Sequence, residues 1–134
     1  MSAEANKQLV RAAYEAVSKG DLDGFMSRLS DDIRWVMTGS HRFAKTFKGK
    51  ADLLENLFAP LGEALEGGIR IELDTVVGEG DRVVVEARGK AATKSGGRYD
   101  NVYCNVLTVR GGKIVEIHEY LDTELVSQVF GKLR

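Results

Sequence analysis

Near residue 69 the spacing of apolar residues in this chain changes, and the change decides its architecture. Upstream, apolar side chains recur at helical intervals. Downstream, they alternate along the chain. Helical spacing lines one face of a helix, and alternation lines one face of a strand. A helical half followed by a run of strands predicts an α+β fold, with three N-terminal helices packed on the concave face of a curved antiparallel sheet.

Leu9, Ala13, Ala16 and Val17 share one face, which predicts a helix over residues 3–19 with Ser2 as its N-cap and Gly20 as its stop. Asp21 caps a second, short helix whose stripe is Leu22, Phe25, Met26 and Leu29. Residues 33–37 predict a strand, and the polar segment 38–49 a loop. A third helix is expected over residues 50–66 through Leu53, Leu54, Leu57, Phe58, Leu61 and Leu65, ended by Gly67 and Gly68. Pro60 falls inside it and lacks the N–H that a continuous helix needs, so a kink or split is expected there.

The alternating half predicts strands at 69–77, 82–93, 98–110 and 113–122. Gly78-Glu79-Gly80-Asp81, Lys94-Ser95-Gly96-Gly97 and Gly111-Gly112 supply hairpin chemistry between them. A tail helix is expected from Thr123. With 134 residues and no linker or repeat, the chain reads as a single domain, 1–134. A formal net charge of −1 excludes bulk attraction to nucleic acid or to an anionic membrane. The lone Cys104 allows no internal disulfide, the acidic amphipathic N-terminus lacks the pattern of a leader, and no stretch is long enough to span a bilayer. A cytoplasmic protein is expected.

The last strand carries the strongest functional clue. One parity holds Val115, Ile117, Glu119 and Leu121, and the other holds Ile114, Glu116, His118, Tyr120 and Asp122. Glu119 is the one carboxyl on an apolar face. Such a group must find a partner, reach water or raise its pKa. Two placements satisfy it: a cavity in which an acid or base works, or the strand end, where it reaches solvent.

The preceding strand places Asn101, Tyr103, Asn105, Leu107 and Val109 on one face and Val102, Cys104, Val106 and Thr108 on the other. Neither is a solvated face, so the strand reads as covered on both sides. Helices cover one side, and a second copy of the chain is the expected cover for the other, giving a homodimer through the outer sheet face. Asn101, Tyr103 and Asn105 either line a pocket or are satisfied polar groups at the core's edge. In residues 82–92, alternation sends Val83, Val85, Ala87 and Gly89 inward and Glu86, Arg88 and Lys90 to solvent.

Six runs occur in order: KGDLDG from Lys19, SDDIRWVM from Ser30, FKGK from Phe47, DRVVV from Asp81, RYDNVYCN from Arg98 and GGKIVEIHEYLD from Gly111. Together they resemble the SnoaL-like, ketosteroid-isomerase-like and limonene-epoxide-hydrolase-like proteins of the nuclear-transport-factor-2-like superfamily. The resemblance covers nearly the whole chain and implies a cone, a bent sheet around three helices with an apolar pocket at its open end. It places Glu119 where epoxide-hydrolase-like members carry an acid. It also aligns Glu86 and Arg88 with a charged pair that points into the pocket, which opposes the alternation. A Glu86–Arg88–Glu119 cluster would compensate its own charge.

The departures narrow the chemistry. Trp35 and Met37 stand where those members place a tyrosine and an asparagine, and Met37 stands where ketosteroid-isomerase-like members carry a catalytic aspartate. Methionine abstracts no proton. Asn105 falls near an oxyanion-binding position, and Tyr14 lies one residue off register from a pocket tyrosine. Trp35, Phe43, Phe58 and Leu61 serve equally as core or pocket wall, and Ile117 shares the pocket parity of Glu119. His41 reads as a surface-loop residue, His118 as lying outside the cone, and Cys104 as a buried small hydrophobe. No spacing of ligands suggests a metal site, and no cofactor is expected. The expected function is cofactor-independent acid–base catalysis on a small apolar molecule, whether isomerisation, cyclisation, hydrolysis or dehydration. A non-catalytic ligand-binding or dimerising module on the same fold is the alternative.

Overall fold

The structure, a computed structural model, describes residues 2–132. Helix α1 (Ala3–Ser18) opens where the Ser2 hydroxyl accepts the Ala5 N–H. It closes before Gly20, whose φ of +74° takes the chain out of the helix. The Asp21 carboxylate accepts the Gly24 N–H and caps α2 (Leu22–Met26). That helix is shorter than its stripe suggested. Leu29 keeps its inward position as the first residue of strand β1 (Leu29–Met37).

The polar segment after β1 is not all loop. Phe47 is wholly buried, and the short strand β2 (Thr46–Lys48) pairs it opposite Trp35. His41 is not at the surface either. Its Nδ1 accepts the Phe43 N–H at 3.1 Å and its Nε2 lies 3.0 Å from the Thr38 carbonyl, so the wholly buried ring holds the loop closed. Burial lowers the pKa of His41, which favours the neutral ring that this pair of contacts requires.

The third helix splits as Pro60 required, by widening. It runs as α3 (Lys50–Leu53), a π-helical turn (Leu54–Phe58) and α4 (Ala59–Ala64). The Ala59 N–H reaches back five residues to Leu54, and Pro60 sits in the first turn of α4, where its missing donor matters least. The chain is already extended at Leu65. Gly67 and Gly68, at φ +73° and +77°, do not stop the helix but lie within strand β3 (Leu65–Glu79), where its register with the next strand shifts.

Strands β4 (Arg82–Thr93), β5 (Val102–Arg110) and β6 (Lys113–Leu121) complete a six-stranded sheet in the order β2-β1-β6-β5-β4-β3. All pairings are antiparallel except β1 with β6, which is parallel and corrects the all-antiparallel expectation. Helix α5 (Thr123–Phe130) follows, capped by Asp122. A bulge near the start of β6 also corrects the parity there. Val109 pairs with Ile114 and Thr108 with Glu116, so Val115 is the extra residue and Ile114, not Val115, is buried.

The helices lie against the inner sheet face, and α1 is tied to β3 by the Ser18 hydroxyl, which bonds both the carbonyl and the N–H of Ile71. The core between the layers includes Val10, Phe25, Ile33, Leu53, Leu57, Val83, Leu107 and Ile117. Each large apolar side chain fully buried there contributes about 1.5–3 kcal/mol. No helix among the described residues is long and apolar enough to cross a membrane.

Candidate functional site

The sheet register sets three rows of side chains across its inner face. Val83, Leu107, Ile117, Trp35 and Phe47 form one; Val85, Asn105, Glu119 and Met37 the next; Ala87, Tyr103 and Leu121 the third. Val83 and Phe47 of the first row are solid core, while its Trp35, Leu107 and Ile117 also border open space. Toward the third, the side chains and the covering helices part to leave a cavity of about 320 Å³. Trp35, Phe25 and Phe58 pack edge to face on one side of it, with ring centroids 5.7–6.2 Å apart. On the other, Phe130 packs against Phe43 and Tyr99. Tyr14 enters from α1, while Leu57, Phe58 and Leu61 enter from the π turn and α4.

Among the described residues, Glu119 is the only charged one that lines the cavity. It is 7% exposed, so of its two possible placements the chain adopts the cavity. Burial pushes its pKa up to about 7, and the Asn105 amide and nearby Trp35 indole offset part of that rise. The Asn105 Nδ2 donates to the Tyr14 hydroxyl at 2.6 Å and to Glu119 Oε2 at 3.4 Å. Because the Tyr14 oxygen accepts that bond, its own proton is free to donate to a ligand. The Trp35 indole N–H at the cavity wall and the Asn105 Oδ1 behind it are buried without a hydrogen-bond partner.

Burial raises the pKa of all three cavity tyrosines, Tyr99 to about 12 and Tyr14 and Tyr103 further, so each stays a protonated phenol. The Tyr99 oxygen accepts from Asn101 Nδ2 at 3.1 Å. Among the described residues the site therefore combines one weakly acidic carboxyl with several neutral donors and no cation.

The structure brings Glu119, Tyr103, Trp35, Met37, Tyr14, Phe58, Leu61 and Ile117 to the cavity wall. Asn105 lies behind the wall and acts through Tyr14 and Glu119. Asn101 does not line the cavity: its Oδ1 accepts from Val102 and Asp122, which ties β5 to the start of α5. Glu86 and Arg88 are not in the site. Both are exposed on the outer face, where Arg88 bonds Asp74 at 2.8 Å and Glu72 at 3.0 Å. The alternation of β4 overrides the alignment of charges, because an inward Arg88 would displace the small inner residues Ala87 and Gly89. Cys104 is exposed on the outer face, not buried, as the parity of β5 dictates. His118 lies half-buried on that face, 2.6 Å from Glu116.

Sequence reasoning missed Tyr99, which lines the cavity from the segment just before β5. It shares the parity of Asn101, Tyr103 and Asn105, and that signal was available. No group of three or more His, Cys, Asp or Glu residues among the described residues is placed to hold a metal ion.

The SnoaL-like domain family matches residues 10–117. An uncharacterised protein of Mycobacterium tuberculosis is 26% identical over 133 residues, covering 97% of this chain and 98% of its own. Among solved structures, a nuclear-transport-factor-2-like protein of unknown function from Burkholderia pseudomallei superposes with a TM-score of 0.83 at 23% identity, covering 96% of this chain and 98% of that one. TerC, co-crystallised with polyporic acid, superposes with a TM-score of 0.80 at 23% identity, covering 93% and 97%. These two structures establish the cone-shaped fold.

Proposed function

Because the chain belongs to the SnoaL-like family of the nuclear-transport-factor-2-like superfamily, we propose that it is a cofactor-independent acid–base enzyme acting on a small, mostly apolar molecule in the helix-covered cavity. One observation carries the proposal: Glu119, the sole carboxyl among the described residues that line the cavity, is buried and its pKa is pushed up to about 7. A group with its pKa near working pH supplies both a competent base and a competent acid. As carboxylate, Glu119 takes a proton from an activated C–H or from water, and as the acid it returns one. The free protons of Tyr14 and Trp35 meet oxygen atoms on which negative charge develops. No lysine or arginine among the described residues lines the cavity, so a neutral molecule is preferred to an anion. The ligand of TerC, on the same fold, supports a small organic occupant.

Turnover of a panel of neutral cyclic ketones and epoxides tests this. Glu119→Gln is expected to lower the rate by roughly 10²–10⁴-fold while ligand affinity and fold persist, the range for loss of a general acid or base. A variant as active as the parent sinks the proposal. The second reading, a binding module, is favoured by the outward placement of Glu86 and Arg88, which leaves Glu119 without a charged partner. It predicts saturable binding with no turnover at any pH.

A second copy of the chain is proposed on the outer sheet face, in a cytoplasmic setting. Val77, Val84, Val106, His118 and Val36 run in one row across that face, with exposed Val102 and Tyr120 beside it. Sedimentation that gives a monomer for the parent chain, or a dimer undisturbed by Tyr120→Glu, counts against it.

A further inference from the structure

The inner face of β4 reads Val83, Val85, Ala87, Gly89 and Ala91, and every one of these residues is buried. Side chains on this face shrink toward the cavity end and vanish at Gly89. Backbone conformation does not explain that, since Gly89 is not among the glycines with positive φ. Space does. A Cβ at Gly89 would lie 2.8 Å from Tyr103 Cε2, 3.2 Å from the Tyr103 hydroxyl and 3.3 Å from Ile69 Cδ1. The Tyr103 ring thus leans from β5 onto the bare backbone of β4, one step beyond its register partner Ala87. Tyr103 and Ile69 both line the cavity.

We propose that Gly89 is the specificity-determining position of this site: by giving Tyr103 room to lie back against β4, it sets the depth of the cavity and admits larger neutral ligands. The proposal rests on the cavity being the ligand site. The Cβ vector at residue 89 points inward, so any side chain there drives the Tyr103 ring off the strand and into the ligand's space. Tyr103 and Tyr99 are neighbouring phenols on the cavity wall, so a ring pushed off the strand moves toward the cavity they share. Gly89 touches no reacting atom itself. It is a positioning residue that acts through Tyr103.

Two measurements test the idea. The first needs no ligand. Gly89→Ala is expected to lower the urea midpoint, and in a Tyr103→Leu background the same substitution is expected to cost little, because the ring it would strike is gone. Additive effects would overturn the contact on which the proposal stands. The second compares two fluorescent neutral probes, 1-naphthol and the larger 1-hydroxypyrene. Gly89→Ala is expected to leave naphthol affinity nearly unchanged and to weaken hydroxypyrene by roughly ten-fold or more, the discrimination that one misplaced carbon produces in an apolar pocket. A purely structural role would weaken both probes alike, and equal losses, or none, reject the specificity role. If the parent chain binds neither probe, the ligand-cavity reading fails and takes the specificity role with it, while the stability cycle still reports whether Gly89 places Tyr103.

Discussion

Glu116 and Glu119 stand three residues apart on β6 and face opposite ways. Glu116, on the outer face, lies 2.6 Å from His118 and 3.5 Å from Arg34, and the His118 contact holds its pKa below the usual carboxylate value. Glu119, on the inner face, meets an amide and an indole but no cation, and burial lifts it to about 7. The same side chain is made a stronger or a weaker acid by strand parity. The outer face offers solvent and charge; the inner face offers hydrocarbon and neutral donors. An acid meant to exchange protons near neutrality belongs on the second.

The sharpest way to break this contrast is through pH and stability. The folded pKa of Glu119 lies above the ordinary glutamate value of about 4.5, so the native state holds this proton more tightly than the unfolded chain. Its contribution is therefore fully present below about 4.5 and is lost as pH rises through about 7. The loss is on the order of 3 kcal/mol, and Glu119→Gln is expected to abolish that slope in urea titrations across the window. A parent chain whose stability is flat between pH 4.5 and 7 contradicts the inward half of the comparison.

A smaller effect is expected at the amide beside the acid. Asn105→Leu removes the N–H that favours the carboxylate, so the Glu119 titration, followed by its carboxyl carbon resonance, should move up by roughly one unit. No movement would mean that Asn105 only holds Tyr14. Smaller still is the outer face. Glu116→Gln should cost at most about 1 kcal/mol, as half-exposed pairs do. Arg88→Ala, remote from the cavity, should leave both fold stability and the Glu119 titration where they were. A shift of Glu119 in either outer variant would show that the two faces communicate.

How much of this was legible in the residues differs from element to element. Helix caps at Ser2 and Asp21, the hairpin turns and the inward parity of Glu119 follow from local chemistry, which the chain obeys. Alternation placed Glu86 and Arg88 outside, and the alignment of charges with related proteins placed them inside. The structure sides with alternation, because the space beside Ala87 and Gly89 is taken by the Tyr103 ring. Three features lay beyond reach for one physical reason. The bulge at Val115, the glycine bulge in β3 and the parallel pairing of β1 with β6 depend on partners distant in sequence, and no local period records them. His41 belongs with these, since its burial comes from the loop folding back on its ring and from the backbone bridge to Lys132.

The parallel union of β1 with β6 also fixes when the molecule can become itself. Leu29 meets Ile114, and Met37 meets Glu119, across more than half the length of the chain. During synthesis the helical half emerges first, carrying Val10, Phe25 and Leu57 with no sheet to cover them. The strand that bears the acid comes last of the six in chain order, and it is the strand that joins the two halves. Such distant contacts form slowly, because the entropy of closing a long loop precedes any gain from the contact. Until β6 pairs with β1, the apolar inner face of the helices lacks its full cover and the cavity that holds Glu119 is not closed.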